Sequence, residues 1–319
     1  MAKEKDKEPF WSGARRLLSE LRGYRWQRGR FVSAEAPILI GGCGRSGTTL
    51  LRVILDSHSQ VCCGPETNLF VSKTRLNPGS PTARKLAERF DLSHETMDDL
   101  LRRSSSRAQF IDRFFTTVRA QAGKPFWSDK TPRNVQVLPY IFEHFPQARF
   151  IHMIRDGRDV VCSLRTHPRF RMIDGQPVKL DTWNPIEDCV ARWVQDVSLG
   201  LRYRDDPGSL ELRYEDLVRR PEPALRPLFE FLGLPWEPAV LKFNEVKTGS
   251  RDPKRFAQNP EAAKPLQSSA VGRWRGDLDE KDLAYVMRKA GTLLRELGYT
   301  PDDLEGNVPA SPRRIDRTG

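Results

Sequence analysis

Short apolar runs alternate along this chain with stretches whose apolar residues recur at helical spacing, and each run stops at glycine, proline or charge. Pro37 to Ile40 reads as a buried strand, and Leu50, Leu51, Val53, Ile54 and Leu55 then suit a core-facing helix that begins at Thr48. Gln60 to Thr67 reads as a short strand ending in a Gly-Pro turn, which delivers Glu66 to a loop. A strand over Pro125–Arg133 leads to Lys130 at a Thr-Pro turn, and a helix over Asn134–His144 follows. Phe150, Ile151, Met153 and Ile154 make the next buried strand, with a helix from Asp159. The remaining pattern predicts a helix over 185–204, a strand over 209–213, a turn at Tyr214–Leu217, helices near 223–232 and 237–243, and a last amphipathic helix over 279–297. Between the second and third strands, 69–76 and 83–121 read as helical, broken at Asp91–Glu95 with Ser93 as a cap. Pro168–Asn184 reads as a mobile loop of lid length, and the basic stretch 249–269 as a loop closing over a ligand.

Strands alternating with helices predict an α/β fold, P-loop-like and three-layered, with a central mainly parallel sheet flanked by helices and a helical insertion over 68–122. The expected layout is a basic extension over 1–34, one domain over 35–300 and a disordered tail over 301–319. In such a sheet, ligands bind outside the C-terminal ends of the strands.

The chemistry concentrates where the first strand breaks. Gly41, Gly42, Gly44 and Gly47 permit a tight path that turns main-chain N–H groups onto an anion. Gly42 and Gly47 have the Walker spacing, yet Thr48 stands where a nucleoside triphosphatase keeps its lysine. Arg45 supplies a charge from inside the loop, and Ser46, Thr48 and Thr49 add hydroxyl donors suited to a less charged phosphoryl or sulfuryl group. A second anion site is predicted at the strand, turn and helix of Arg155-Asp-Gly-Arg158, with Ser163 two turns into the helix. Pairing of Arg155 and Arg158 with Asp156 and Asp159 as a solvated charge cluster is the competing reading.

Composition narrows the partner only in part. The 319 residues carry a formal charge of +11, which points to a polyanion: a nucleotide, nucleic acid, an acidic peptide or a membrane surface. Basic residues spread along the chain and interleave with 42 acids, the distribution of a nucleotide-binding enzyme with a basic cleft rather than of a nucleic-acid arm. Five cysteines without a CxxC pair indicate neither a zinc site nor a disulfide framework, so reduced thiols in the cytoplasm are expected. The N-terminus lacks the apolar core of a signal peptide. Phe10–Trp26 reads either as a basic amphipathic helix in peripheral membrane contact or as a helix packed on the domain. A homodimer is compatible with the sequence but not specified by it.

The motifs Gly44-Arg-Ser-Gly-Thr-Thr49 and Arg155-Asp-Gly-Arg-Asp-Val-Val-Cys-Ser163 resemble the two signatures of the sulfotransferases that use 3′-phosphoadenosine 5′-phosphosulfate. Cys63-Gly-Pro-Glu-Thr67, Lys130-Thr-Pro132, Tyr214 to Leu217 and the Lys264-Pro265 to Trp274 spacing are similar to the protein-tyrosine branch, and the likeness runs from Pro37 to Tyr299. The resemblance implies that Ser46, Gly47, Thr48 and Thr49 hold the 5′-phosphate, while Arg45 and Lys130 neutralise charge on the sulfuryl group and its leaving oxygen. It further implies that Glu66 is the general base, that Arg155 and Ser163 bind the 3′-phosphate, and that Tyr214 and Arg273 contact the same co-substrate. No metal is required. The acceptor is a hydroxyl of tyrosine, carbohydrate, lipid or a small molecule. His167 stands where the branch has an arginine, and Gln258 lies where it has a serine; Arg165 and Ser268 are the candidate replacements. Asn68 replaces an arginine, and Asp129 a cysteine. A P-loop kinase or nucleoside triphosphatase, with Asp156 as its magnesium-binding acid, is the alternative; a non-enzymatic nucleotide- or nucleic-acid-binding protein is the third reading.

Overall fold

A computed structural model describes residues 31–72, 76–173, 176–180, 183–245 and 265–299. The expectations for the N-terminal extension, the tail, Lys264, Gln258 and most of the 249–269 loop lie outside those residues.

Five strands form one sheet: β1 (Ile38–Gly42), β2 (Val61–Cys63), β3 (Phe126–Lys130), β4 (Arg149–Ile154) and, after the hairpin strands β5 (Arg169–Ile173) and β6 (Gln176–Leu180), β7 (Ser209–Arg213). Their spatial order is β2-β3-β1-β4-β7, and every neighbouring pair is parallel. All five residues of β1 are buried, as a central parallel strand covered on both faces requires. Leu39 faces one apolar cluster with Trp127 and Phe150, and Ile38 and Ile40 face another with Ile151 and Met153.

The second cluster is built on α1 (Thr48–Ser57), which buries Leu51, Val53, Ile54 and Leu55. The same helix buries two charges that fix β2. Asp56 accepts from the Cys63 N–H at 2.8 Å, and Arg52 donates to the Cys63 carbonyl at 3.4 Å. Lys124 closes the other end by donating to the carbonyls of Asp56, His58 and Val61. The strand that precedes Glu66 is therefore held by ion-assisted hydrogen bonds as well as by packing.

The insertion consists of α2 (Pro81–Arg89), α3 (His94–Arg103) and α4 (Arg107–Gln121), each opened by a serine cap: Ser80, Ser93 and Ser106 accept from the N–H three residues on. Ser93 caps as the sequence predicts, and Ser106 adds a second break inside the expected single helix. Residues 69–71 form turns rather than the expected helix. Phe115 of α4 stacks on Trp127 of β3 at 4.4 Å, which ties the insertion to the strand that ends in Lys130.

After β3 comes a 3-10 segment, Pro132–Val137, and then α5 (Leu138–His144), where one helix was expected; Pro132 and Pro139 remove donors that a continuous helix would use. Next come α6 (Gly157–Arg165), α7 (Ile186–Leu201), α8 (Tyr214–Arg219), α9 (Pro221–Leu232), a 3-10 segment at Pro238–Glu245, α10 (Trp274–Asp277) and α11 (Glu280–Glu296). The 168–184 stretch is not an irregular loop: β5 and β6 pair antiparallel from Arg169↔Leu180 to Ile173↔Gln176. Alternating polar and apolar residues within the two strands suit a hairpin.

His152 on β4 is 1% exposed against Gly200 of α7, and burial with the nearby Arg204 charge holds its pKa down at about 3 from 6.5. The unfolded chain therefore takes up the proton first, so this contribution to stability is full above pH 6.5 and is lost as the pH falls through 6.5 toward 3. Between pH 7 and 5 the loss from this one group is about 2 kcal/mol. Urea unfolding at both pH values is expected to show that part of the acid sensitivity missing in His152→Leu; an identical pH dependence in the variant would contradict it.

Candidate active site at the C-terminal edge of the sheet

Each strand of the main sheet ends on a residue or loop of chemical interest, and the sheet order sets their sequence in space. β2 leads to Glu66, β3 ends in Lys130, β1 opens into the glycine loop, β4 runs into Arg155, and β7 runs into Tyr214.

The loop is shaped by backbone requirements. Gly42 has φ +132° and Gly47 φ +92°, and a Cβ on Gly47 would lie 2.5 Å from the Tyr214 ring. Arg45 itself sits at φ +74°, a conformation that turns successive N–H groups to one side. Ser46 is fully buried, and its Oγ has no protein partner among the described residues. Gly47 then opens α1, so Thr48 and Thr49 occupy the positive end of a helix dipole.

Arg45 donates from Nε to Ser163 Oγ at 3.0 Å, and Arg155 donates to the Arg45 carbonyl at 3.2 Å. Burial and the charges of Arg155 and Arg273 push the Arg45 pKa down. Three guanidinium groups thus converge, an arrangement that favours an anion between them. Arg155 lies over the Tyr214 ring at 4.4 Å and 3.7 Å from Asp159, and its second Nη donates to the Ala270 carbonyl; its Nε has no partner among the described residues. Asp159 accepts from the N–H groups of Gly272 and Trp274, which anchors the segment carrying Arg273. Arg273 also pairs with Asp277 at 2.5 Å.

The predicted charge cluster is real in part, but it is buried rather than solvated. Asp156 caps α6 and holds Arg158 at 2.7 Å, while Arg158 lies over Trp274. That pair is scaffold, and Arg155 is left to face the loop.

On the other side, Lys130 Nζ donates to Glu66 Oε2 at 2.8 Å. Lys130 is almost fully buried, and the Glu66 side chain remains 35% exposed, so the carboxylate is open to an incoming molecule. The base of this pair is rigid. Thr67 donates to Asp129, which is buried and also accepts from Asn134 at 2.9 Å; burial raises its pKa. The Asn68 N–H donates to Thr131 Oγ1, and Arg89 donates to the Glu66 carbonyl at 2.6 Å.

The structure thus brings Ser46, Gly47, Thr48, Arg45, Arg155, Ser163 and Tyr214 into one group and pairs Glu66 with Lys130. Arg45 bonds to Ser163 on the second anion site rather than to the Lys130 side, so it links the two sites the sequence kept separate. Arg165 is not a replacement for His167: it pairs with Asp282 and stacks on Trp183. Ser268 is exposed and lends its carbonyl to Val271. Arg192 of α7 is the cation that sequence reasoning missed. Its guanidinium nitrogen lies 3.0 Å from where a Gly44 Cβ would be, and the pKa of His167 is lowered by burial first and then by the charges of Arg45 and Arg192.

Among the described residues no group of three or more His, Cys, Asp or Glu side chains is arranged to hold a metal, and no helix is long and apolar enough to cross a membrane. All five cysteines are buried free thiols.

A parallel sheet with a glycine loop, converging arginines and a carboxylate–ammonium pair on one edge defines an anion-handling α/β protein of the phosphate-loop type. The chain belongs to the sulfotransferase family, whose model matches residues 37–238. It is 30% identical over 269 residues to the protein-tyrosine sulfotransferase A of Caenorhabditis elegans, covering 83% of this chain and 67% of that protein. Against protein-tyrosine sulfotransferase 1 of Homo sapiens it is 29% identical over 270 residues, 83% of this chain and 70% of that protein. In fold it is similar to the sulfotransferase domain from the Synechococcus PCC 7002 olefin synthase, with TM-score 0.61 and 21% identity over 84% of this chain and 98% of that one. The corresponding domain from the curacin biosynthetic pathway matches with TM-score 0.60 and 21% identity over 81% and 97%.

Proposed function

We propose that this sulfotransferase takes its sulfuryl group from 3′-phosphoadenosine 5′-phosphosulfate and transfers it to an acceptor hydroxyl by in-line displacement. The observation that carries the reading is the order along the sheet edge: Glu66, Lys130, the glycine loop, then Arg155 with Ser163 and Tyr214. A donor with phosphates at both ends of its ribose needs two anion sites flanking a reactive end. The fit rests on two buried atoms, Ser46 Oγ in the loop and Arg155 Nε beside it, which have donor capacity and no acceptor among the described residues.

In this reading the loop N–H groups, Ser46, Thr48 and Thr49 bind the 5′-phosphate, and Arg155, Ser163, Tyr214 and Arg273 bind the 3′-phosphate end. Arg45 joins the two sites. The acceptor oxygen gives its proton to Glu66 and forms the new S–O bond, while the S–O bond to the 5′-phosphate breaks. Lys130, already 2.8 Å from Glu66, is placed to meet negative charge growing on the oxygen that leaves. A tyrosine phenol is the first acceptor to test, because the relatives are named for it. The magnesium-dependent triphosphatase reading loses its acid, since Asp156 is engaged by Arg158 and by the α6 terminus.

Calorimetry tests the donor site. Adenosine 3′,5′-bisphosphate is expected to bind about 30-fold more tightly than adenosine 5′-monophosphate, the worth of one buried charge-assisted set. Equal affinity for the two would remove the 3′-phosphate site from the account.

A further inference from the structure

Directly after Glu66 the chain walls a cavity of about 360 Å³ between the Thr67–Ser72 turn and helices α2 and α4. Its floor is apolar, with Leu76, Leu86 and Phe110, and three cations reach its lining: Lys85, Arg89 and Arg107. None of the described residues that line it is acidic.

The cations are placed for a purpose other than folding alone. Arg89 and Arg107 spend hydrogen bonds on neutral carbonyls, those of Glu66 and Leu69, so their guanidinium groups are held rigidly while their charge is kept. Neither forms an ion pair with an acid among the described residues, and nor does Lys85. Partial burial lowers the pKa of Arg107, and that of the more exposed Arg89 is lowered in the same way against the opposing pull of Glu66 and Asp129. Positive charge beside an apolar lining favours a ligand with an apolar body and an anionic group. A cavity of this size is at the small end of small-molecule sites.

We infer that this cavity is the acceptor site and that the acceptor is a small hydroxylated organic acid, seated with its acid group among Lys85, Arg89 and Arg107. This rests on the sulfuryl-transfer reading for the identity of the hydroxyl as acceptor, but the binding itself can be measured without turnover.

The probes are para-hydroxyphenylpropionate, its neutral methyl ester and an acidic peptide with one tyrosine. Calorimetry on the full chain with no donor present is expected to show the acid binding about tenfold more tightly than the ester, the worth of one partly desolvated charge contact. In Lys85→Glu, which changes an exposed position of α2, the acid-to-ester affinity ratio is expected to fall about tenfold and so to vanish. Equal binding of acid and ester, a ratio unmoved by Lys85→Glu, or tighter binding of the peptide than of the acid would each overturn the inference. The transfer reading fails separately, if adenosine bisphosphate does not bind and no acceptor is labelled.

Discussion

Glu66→Gln is expected to lower kcat for sulfuryl transfer by about 10² to 10⁴, the usual worth of a positioned general base, with the affinity for adenosine 3′,5′-bisphosphate changed less than about twofold. The amide keeps the shape of the side chain and still reaches Lys130, but it cannot take a proton from the acceptor. Lys130→Ala should cost about 10² to 10³ in kcat through lost charge stabilisation at the leaving oxygen. Because the two side chains touch at 2.8 Å, they act as a unit, and the double variant should be little slower than the worse single one. Single-turnover rates with labelled donor measure all three. Additive losses would mean that Glu66 and Lys130 work independently, and wild-type rates would remove both from the chemistry.

Gly47→Ala should damage the donor site and the fold together. At φ +92° any side chain is strained, and the new methyl would meet the Tyr214 ring at 2.5 Å. Strain plus the clash is worth about 3 kcal/mol of stability. Tyr214 stacks on Arg155, so displacing the ring moves the proposed 3′-phosphate site as well, and bisphosphate binding should weaken by more than about tenfold. Urea unfolding and calorimetry read the two effects. A variant with native stability and native binding would show that the loop path and the Tyr214 contact are not what shape the site.

Much of this was legible because the elements with the strongest chemistry also have the strongest patterns. An apolar run that breaks into Gly42-x-x-x-x-Gly47 and resumes as a helix fixes its own geometry, and β1 and α1 formed where expected. Phe150–Ile154 followed by Arg155-Asp-Gly-Arg158 was equally plain, and the parallel sheet brings both to one edge. What the sequence hid was long-range electrostatics. Nothing local says that Arg158, rather than Arg155, would be consumed by Asp156, or that Arg165 would pair with Asp282, 117 residues away. Arg192 reaches Gly44 only because α7 packs across the loop, and Asp56 and Arg52 pass for a solvated helix face until β2 is laid beside them. The hairpin at β5 and β6 was lost to its proline, glycine and mixed charge, which read as loop composition although the alternation was present. The cavity beside the Thr67–Ser72 turn has no motif at all, since it exists only where two helices and a turn meet.

The most direct test of the account follows labelled sulfate from 3′-phosphoadenosine 5′-phosphosulfate onto para-hydroxyphenylpropionate with the purified full chain in the presence of a chelator. The account predicts that labelled ester and adenosine 3′,5′-bisphosphate accumulate in equal amounts, and that Glu66→Gln slows both by about 10² to 10⁴. No labelled ester from this or any tested phenol, together with magnesium-dependent hydrolysis of ATP, would contradict it.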